Sequence, residues 1–579
     1  MMPISCRLIR KREDVYRVVK AFATRGEWIN AEAKSYVQVL VLKMPVEAPD
    51  AERAEKLSEE VRDFERNGLN LTSTKKEEVQ HLQAQIDDLS MQYIQNLNDD
   101  RTFLLFTDTE LEGLPAEFLQ MLDRAMDDKI KVPLKSNYVS PILEFCRVCF
   151  PPLNCIARLR PKRLCHSFPK LCSHKLENEV GASRRRVAVA YGQRCKEVNV
   201  PLLENLVVLR HKLARLLGYD NYAEYAVCSR MAKTTSKVFE FLEDLSTSLS
   251  DLAAKELAIL QDLKKKEEGD CTFGIEDLLY YVKKFEDEKF NLDFGALKEY
   301  FPLSLVLQGI FKVLQDLLGL RFEEILGAVV WHEDVRVFAV FDLSSGELIG
   351  YAYLDLYSRE GKYGQTCVLP LQNGSLPSNG ARQLPVVLMI SGFTKEDGNC
   401  PVLLQFSEVV NLFHEFGHVA HHLCNHASLV RFSGLRVDPD FVEIPGHMFE
   451  NWCYDSSILK IISGYYQDIT RPIKNEVCSS LRRWRHSFSV LKLRQEILYC
   501  KSPAGVYSIP LCAPPRVFAA DVFASKFCDG LLNHHIGMQF RNKVLAPGGA
   551  RDPLESLSNF MGRQPSIQAF VDSRASSGV

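Results

Sequence analysis

Apolar residues return every three or four positions through much of the first half of the chain. Val79, Leu82, Ile86, Leu89, Tyr93 and Leu97 form one such stripe, and Thr74 with Glu77 just before it reads as a capping box. Val238, Leu242, Leu245, Leu249 and Leu252 predict a second long helix, trailing into Lys264-Lys265-Lys266-Glu267-Glu268, a run expected to be a solvated helix end. The period changes between Val335 and Tyr357. Val335 to Phe341, a turn at Leu343-Ser344-Ser345-Gly346, and Leu348 to Leu356 predict a β-hairpin, and Leu384 to Ile390 is a candidate third strand. Helical spacing then resumes from Phe406 to Cys424 on Val409, Val410, Phe413, Phe416, Ala420 and Leu423, with Ser407 and Glu408 as the expected start.

That last helix carries the chemistry. His414-Glu415-Phe416-Gly417-His418 reads His-Glu-x-x-His. Positions i and i+4 share a helix face, so His414 and His418 can bind one zinc ion while Glu415 stands beside it as general base. Taken alone, the motif is equally compatible with two histidines on an amphipathic helix. A catalytic zinc needs a third protein ligand. Asp440, Glu443 and Glu450 follow at helical spacing in a second acidic segment, and Glu443 is the best candidate. Asp440 and Glu450, with Glu408, remain to orient the ligands from behind. His421 is close to the ligand face and is expected to pack or hydrogen-bond, not to bind metal.

Composition limits the remaining choices. A chain of 579 residues is too long for one hydrophobic core and implies two or three subdomains. A net charge of −3 gives no reason to expect nucleic acid or an anionic membrane as partner, and no run of 18 apolar residues suggests a bilayer span. The basic segment Met1 to Arg12 lacks a signal-like apolar core. The 17 cysteines show no regular pairing, so free thiols in a reducing compartment, the cytosol, are expected. Cys146, Cys149, Cys155, Cys165 and Cys172, with His166 and His174, invite a zinc-finger reading. Their later spacings fit none, and a disordered basic loop is expected over 146–186.

HEFGH, then FSG (Phe432 to Gly434), DFVEIP (Asp440 to Pro445) and ENW (Glu450 to Trp452), resemble the thimet oligopeptidase and neurolysin family of zinc metallopeptidases, with FSGLRVDPDFVEIP most like its plant members. RDFERNGLNL, NLNDDRTFLLFT, YLDLYSREGKY and FRNKVLAPGG extend the likeness, which covers 61–140, 187–500 and 517–575. The resemblance implies a mainly α fold in which two helical subdomains flank a deep substrate channel, with a small β-sheet next to the zinc-binding helix. It places a mostly helical part in 1–325, interrupted by an insertion at 146–186, and the catalytic part in 326–579. It assigns Glu443 as third ligand, one zinc per chain, short peptides as substrates and a monomeric state. One edge of the small sheet is expected to pair with the substrate backbone.

Two departures qualify the resemblance. Where the family has a Gly-Tyr-x-Ala-x-x-Tyr-Ser loop, this chain has only Lys501 to Arg516, with one tyrosine, Tyr507, and four prolines that predict a connector. No substrate-binding residue can be carried over there. The family's Pro-Ser-Gln is Pro445-Gly446-His447 here; His447, four residues beyond Glu443 and on its face, is either a hydrogen-bonding group near the site or, as expected, a neutral variant. Two functions follow: a zinc endopeptidase acting on short peptides, or an impaired or inactive form that keeps zinc or peptide binding.

Overall fold

The computed structural model describes residues 20, 61, 64–146, 181–269, 272–362, 364–375, 382–395, 401–427, 430–500, 509–527 and 530–575. The basic cysteine-rich stretch expected as a loop falls almost wholly outside these residues. The described part is mainly helical, with a two-stranded and a five-stranded sheet. It gathers into two compact units. One holds the described residues of 84–209 and 251–291, the other those of 1–83, 210–250 and 292–578.

In the first of these, β1 (Phe103–Phe106) pairs antiparallel with β2 (Ile130–Pro133). Phe106, Ile130 and Val132 are buried with Val139, Ile142 and Val187. A buried charge cluster lies in the same unit. Arg184 donates to Asp277 at 3.0 Å, Glu268 at 3.1 Å and the Cys146 carbonyl at 3.0 Å, and Lys264 pairs with both carboxylates. Two cations meet two anions, so charges that would be prohibitive alone are balanced. The run 264–268 is therefore not simply a solvated end: Lys264 and Glu268 turn inward while Lys265, Lys266 and Glu267 face water. The buried stripe of the preceding helix explains the error. Within Ser250–Glu268 it runs 253, 256, 260, 264, passing through Glu256 and Lys264, which a hydrophobic pattern cannot register. The single long helix expected there is two, Thr235–Ser248 and Ser250–Glu268.

The second unit is built on helix α1 (Leu303–Leu318), whose Leu303, Val306, Leu307, Ile310, Val313, Leu314 and Leu317 are all buried. Gly319, at φ 66°, ends it in the left-handed conformation that glycine adopts freely, and the chain turns at once into β3 (Leu320–Glu324). The expected hairpin follows as β4 (Arg336–Asp342) and β5 (Leu348–Tyr357), antiparallel. Its turn is fixed by the Asp342 carboxylate, which accepts the Ser344 and Ser345 N–H groups. Two further strands, β6 (Cys367–Gln372) and β7 (Val386–Phe393), complete the order β3-β4-β5-β7-β6, with β7 parallel to β5 and β6 antiparallel at an edge. The expected third strand is β7. β3 and β6 are the two edges of this sheet, and Pro370 in β6 is tolerated because an edge strand leaves one side without ladder hydrogen bonds.

Behind this sheet, helix α2 (Phe406–Leu423) buries residues around nearly its whole circumference, and α3 (Glu443–Phe449) packs across it. Helix α4 (Ile509–Lys526) corrects the connector reading. It runs through Pro514 and Pro515, each of which removes a backbone hydrogen bond, because Val517, Ala519, Val522 and Phe527 beyond them are locked into the core. Residues 501–508 lie outside the described residues. The first long helix, Ser73–Asp99, begins one residue before Thr74, which is thus inside the first turn and not at the cap.

Candidate metal centre

Helix α2 starts at Phe406, the first residue of the expected stretch and one before Ser407. The Glu408 carboxylate accepts the Gln405 N–H at 2.7 Å, so Glu408 caps its own helix, two turns from the histidines. Leu412, Phe413, Phe416, Val419 and Ala420 anchor the helix in the core, and His414 and His418 lie on the face that meets α3. The two helices touch at glycines. A Cβ on Gly417 would lie 2.8 Å from the backbone of Pro445 and Gly446, and one on Gly446 would lie 2.7–2.9 Å from the His414 ring. This close approach brings the acidic segment within reach of the histidines.

Three donor atoms then converge. His414 Nε2 and His418 Nε2 are 3.2 Å apart, and Glu443 Oε2 is 3.2 Å from the first and 3.5 Å from the second. Ligands at about 2.0–2.2 Å from one tetrahedral ion are separated by roughly 3.3–3.5 Å, so the spacing suits a single zinc-sized cation. The tautomer agrees as well. His414 Nδ1 donates to Glu450 Oε1 at 2.8 Å, which makes Nε2 the ring nitrogen that faces the other two donors.

Electrostatics follow from this geometry. Burial alone would lower His414, but the carboxylates of Glu443 and Glu450 outweigh it and push its pKa up to about 10. Burial would raise both glutamates, yet the hydrogen bonds from the histidines prevail, holding Glu443 well below the usual carboxylate range and Glu450 at about 2. Glu415 differs. It is 8% exposed, and burial raises its pKa against the charges of His418 and His414, with no hydrogen bond contributing. A carboxylate so placed can take up and return a proton.

The other candidates are distributed differently. Asp440 lies in the turn before α3, where its carboxylate accepts the Met231 N–H at 3.0 and 3.2 Å, and burial pushes its pKa up to about 6. His421 is fully buried, edge-on to Phe441, and burial keeps it neutral, lowering its pKa to about 3. His422 reaches the Gln372 carbonyl of β6 through Nε2 at 2.9 Å. Sequence reasoning passed over two features: the Gly417–Gly446 contact, signalled only by the two glycines, and Cys367 on β6, which lies close enough to Glu415 for its thiol to be affected by that charge. Edge strand β6 thus borders the donor cluster.

Over residues 175–499 and 515–576 the sequence matches the family model described as Peptidase family M3. The match is interrupted at 500–514, which overlaps the interval 501–516 where the chain departs from the resembling family. Over 614 aligned residues the chain is 48% identical to the "Probable thimet oligopeptidase" of Arabidopsis thaliana, spanning 99% of this chain and 79% of that protein. It is 29% identical to the thimet-like oligopeptidase of Dictyostelium discoideum, spanning 89% of this chain and 80% of the other. It is also 29% identical to saccharolysin of Saccharomyces cerevisiae, spanning 88% and 76%.

Proposed function

Because this chain belongs to peptidase family M3, and is accordingly a metallopeptidase, we propose that it is a zinc-dependent endopeptidase hydrolysing short peptides. The observation that carries this reading is the convergence of His414 Nε2, His418 Nε2 and Glu443 Oε2 beside a buried, unbonded Glu415. His414, His418 and Glu443 would hold the ion, one per chain. When bound, it supplies Lewis acidity toward the scissile carbonyl and toward water. Glu415 takes the proton from the attacking water as the new C–O bond forms, then delivers it to the amine nitrogen as the C–N bond breaks. Burial raises its pKa, which favours the protonated form it must hold between the two halves of that exchange. Glu450 keeps His414 in the tautomer that presents Nε2. The peptide lies as an added strand along the free edge of β6, whose Leu369 and Leu371 are exposed. The complete donor set and the family match leave the reading of an inactive form unsupported.

Hydrolysis of a quenched fluorescent peptide tests this. Chelation should abolish turnover, with zinc restoring it at one equivalent per chain. Glu415→Gln should lower kcat by on the order of 10²–10⁴ while still binding the metal. Turnover that survives either treatment would sink the proposal.

A further inference from the structure

His447 was expected to be neutral, yet it completes a seat for His414. Glu450 Oε1 accepts two imidazole N–H groups at once, from His414 Nδ1 at 2.8 Å and from His447 Nδ1 at 2.8 Å. A carboxylate only accepts, so both rings must carry their proton on Nδ1. The His414 and His447 rings stand 4.8 Å apart, edge to face at 70°. On its remaining side the His414 ring meets Gly446, where any side chain would collide with it. The seat is itself braced. The Asn451 side chain donates to the carbonyls of His447 at 3.1 Å and Met448 at 2.7 Å, and Arg485 in turn donates to Asn451 at 2.8 Å.

We propose that His447 is a positioning residue for the metal centre: its Nδ1–H pins the Glu450 carboxylate in the rotamer that fixes His414, and so it raises metal affinity without touching metal or substrate. Glu450 is 26% exposed at its side chain, so without His447 its carboxylate is free to turn toward water and His414 loses the partner that orients Nε2. The inference rests on the reading of His414, His418 and Glu443 as metal ligands. His414, His447 and Glu450 also present ligand atoms within 4.8 Å of one another. Their 2.8 Å contacts are hydrogen-bond distances, and His414 already offers its free lone pair to the other cluster.

Zinc affinity measured on the full chain by competition with a chromophoric chelator tests the role, and needs no turnover. Wild type should bind one zinc per chain. His447→Ala should weaken binding about tenfold, the lower end of the effect of removing such supporting groups. His447→Gln keeps an N–H donor and should recover most of the loss. In a Glu450→Ala background, His447→Ala should cost nothing further, because its action passes through Glu450. Unchanged affinity in His447→Ala, or an equal loss in the Glu450→Ala background, overturns the proposal. Two zinc ions per wild-type chain would also overturn it, in favour of a second metal at His447. A wild-type chain that binds no zinc would remove the underlying metal reading itself.

Discussion

Asp355 shows how single residues carry the sheet beside the site. Its buried carboxylate takes both ends of the Arg359 guanidinium, at 2.7 and 2.8 Å, the Trp331 N–H at 2.9 Å and the Lys362 ammonium at 2.9 Å. Burial favours the protonated acid, but these donors prevail and hold the pKa well below the ordinary range. Since the folded value lies below the unfolded one, the stabilisation is full above about pH 4 and is lost as pH falls through the folded value. Asp355→Asn should therefore destabilise by about 3–5 kcal/mol at pH 7, with the gap to wild type narrowing as pH falls below about 4. Denaturant midpoints across that range check it, and a gap independent of pH would contradict the assignment. Residue placement was legible where spacing fixes it, as for His414 and His418, one turn apart on one helix face. It was not legible for Asp440 or Glu408, whose hydrogen bonds go to backbone groups that the sequence cannot place.

Between elements, the decisive contact is α2 against α3. Three donors come from two helices, so their spacing depends on how closely the backbones pass. Gly417 permits that approach: a methyl group there would press on the backbone of Pro445 and Gly446, which can give way only if α3 moves. Gly417→Ala should lower zinc affinity at least tenfold and lower the melting temperature by several degrees, read by chelator competition and calorimetry. Retained affinity would show that α3 tolerates displacement. The hairpin β4–β5, strand β7 and helix α2 were readable from period alone, because each buries one continuous apolar pattern. β3, β6 and the proline-containing start of α4 were not, because edge pairing and core packing form them against local preference.

At the scale of the whole molecule, the unit comprising the described residues of 84–209 and 251–291 holds its own buried charge cluster. Arg184 and Lys264 offset Glu268 and Asp277, and the Arg184 guanidinium also lies 4.2 Å over the Tyr280 ring. Removing one member leaves an uncompensated buried charge, at a cost of about 3–5 kcal/mol. Arg184→Ala should speed amide exchange throughout that unit while 303–318 and 406–423 stay protected. Uniform loss of protection would mean that the two units unfold as one. Among the described residues no helix is long and apolar enough to cross a membrane, and seven cysteines, including Cys367 and Cys424, are free thiols.

By itself the sequence determined the helical character, the hairpin and the His-Glu-x-x-His pattern, because periodicity and residue spacing are local properties of the chain. Tertiary structure decided the rest. It set how near α3 comes to α2, turned Lys264 inward, and gave Glu450 to His414 and His447 together. Each of these depends on residues distant in sequence meeting in a space where water is excluded, and no local pattern encodes that meeting.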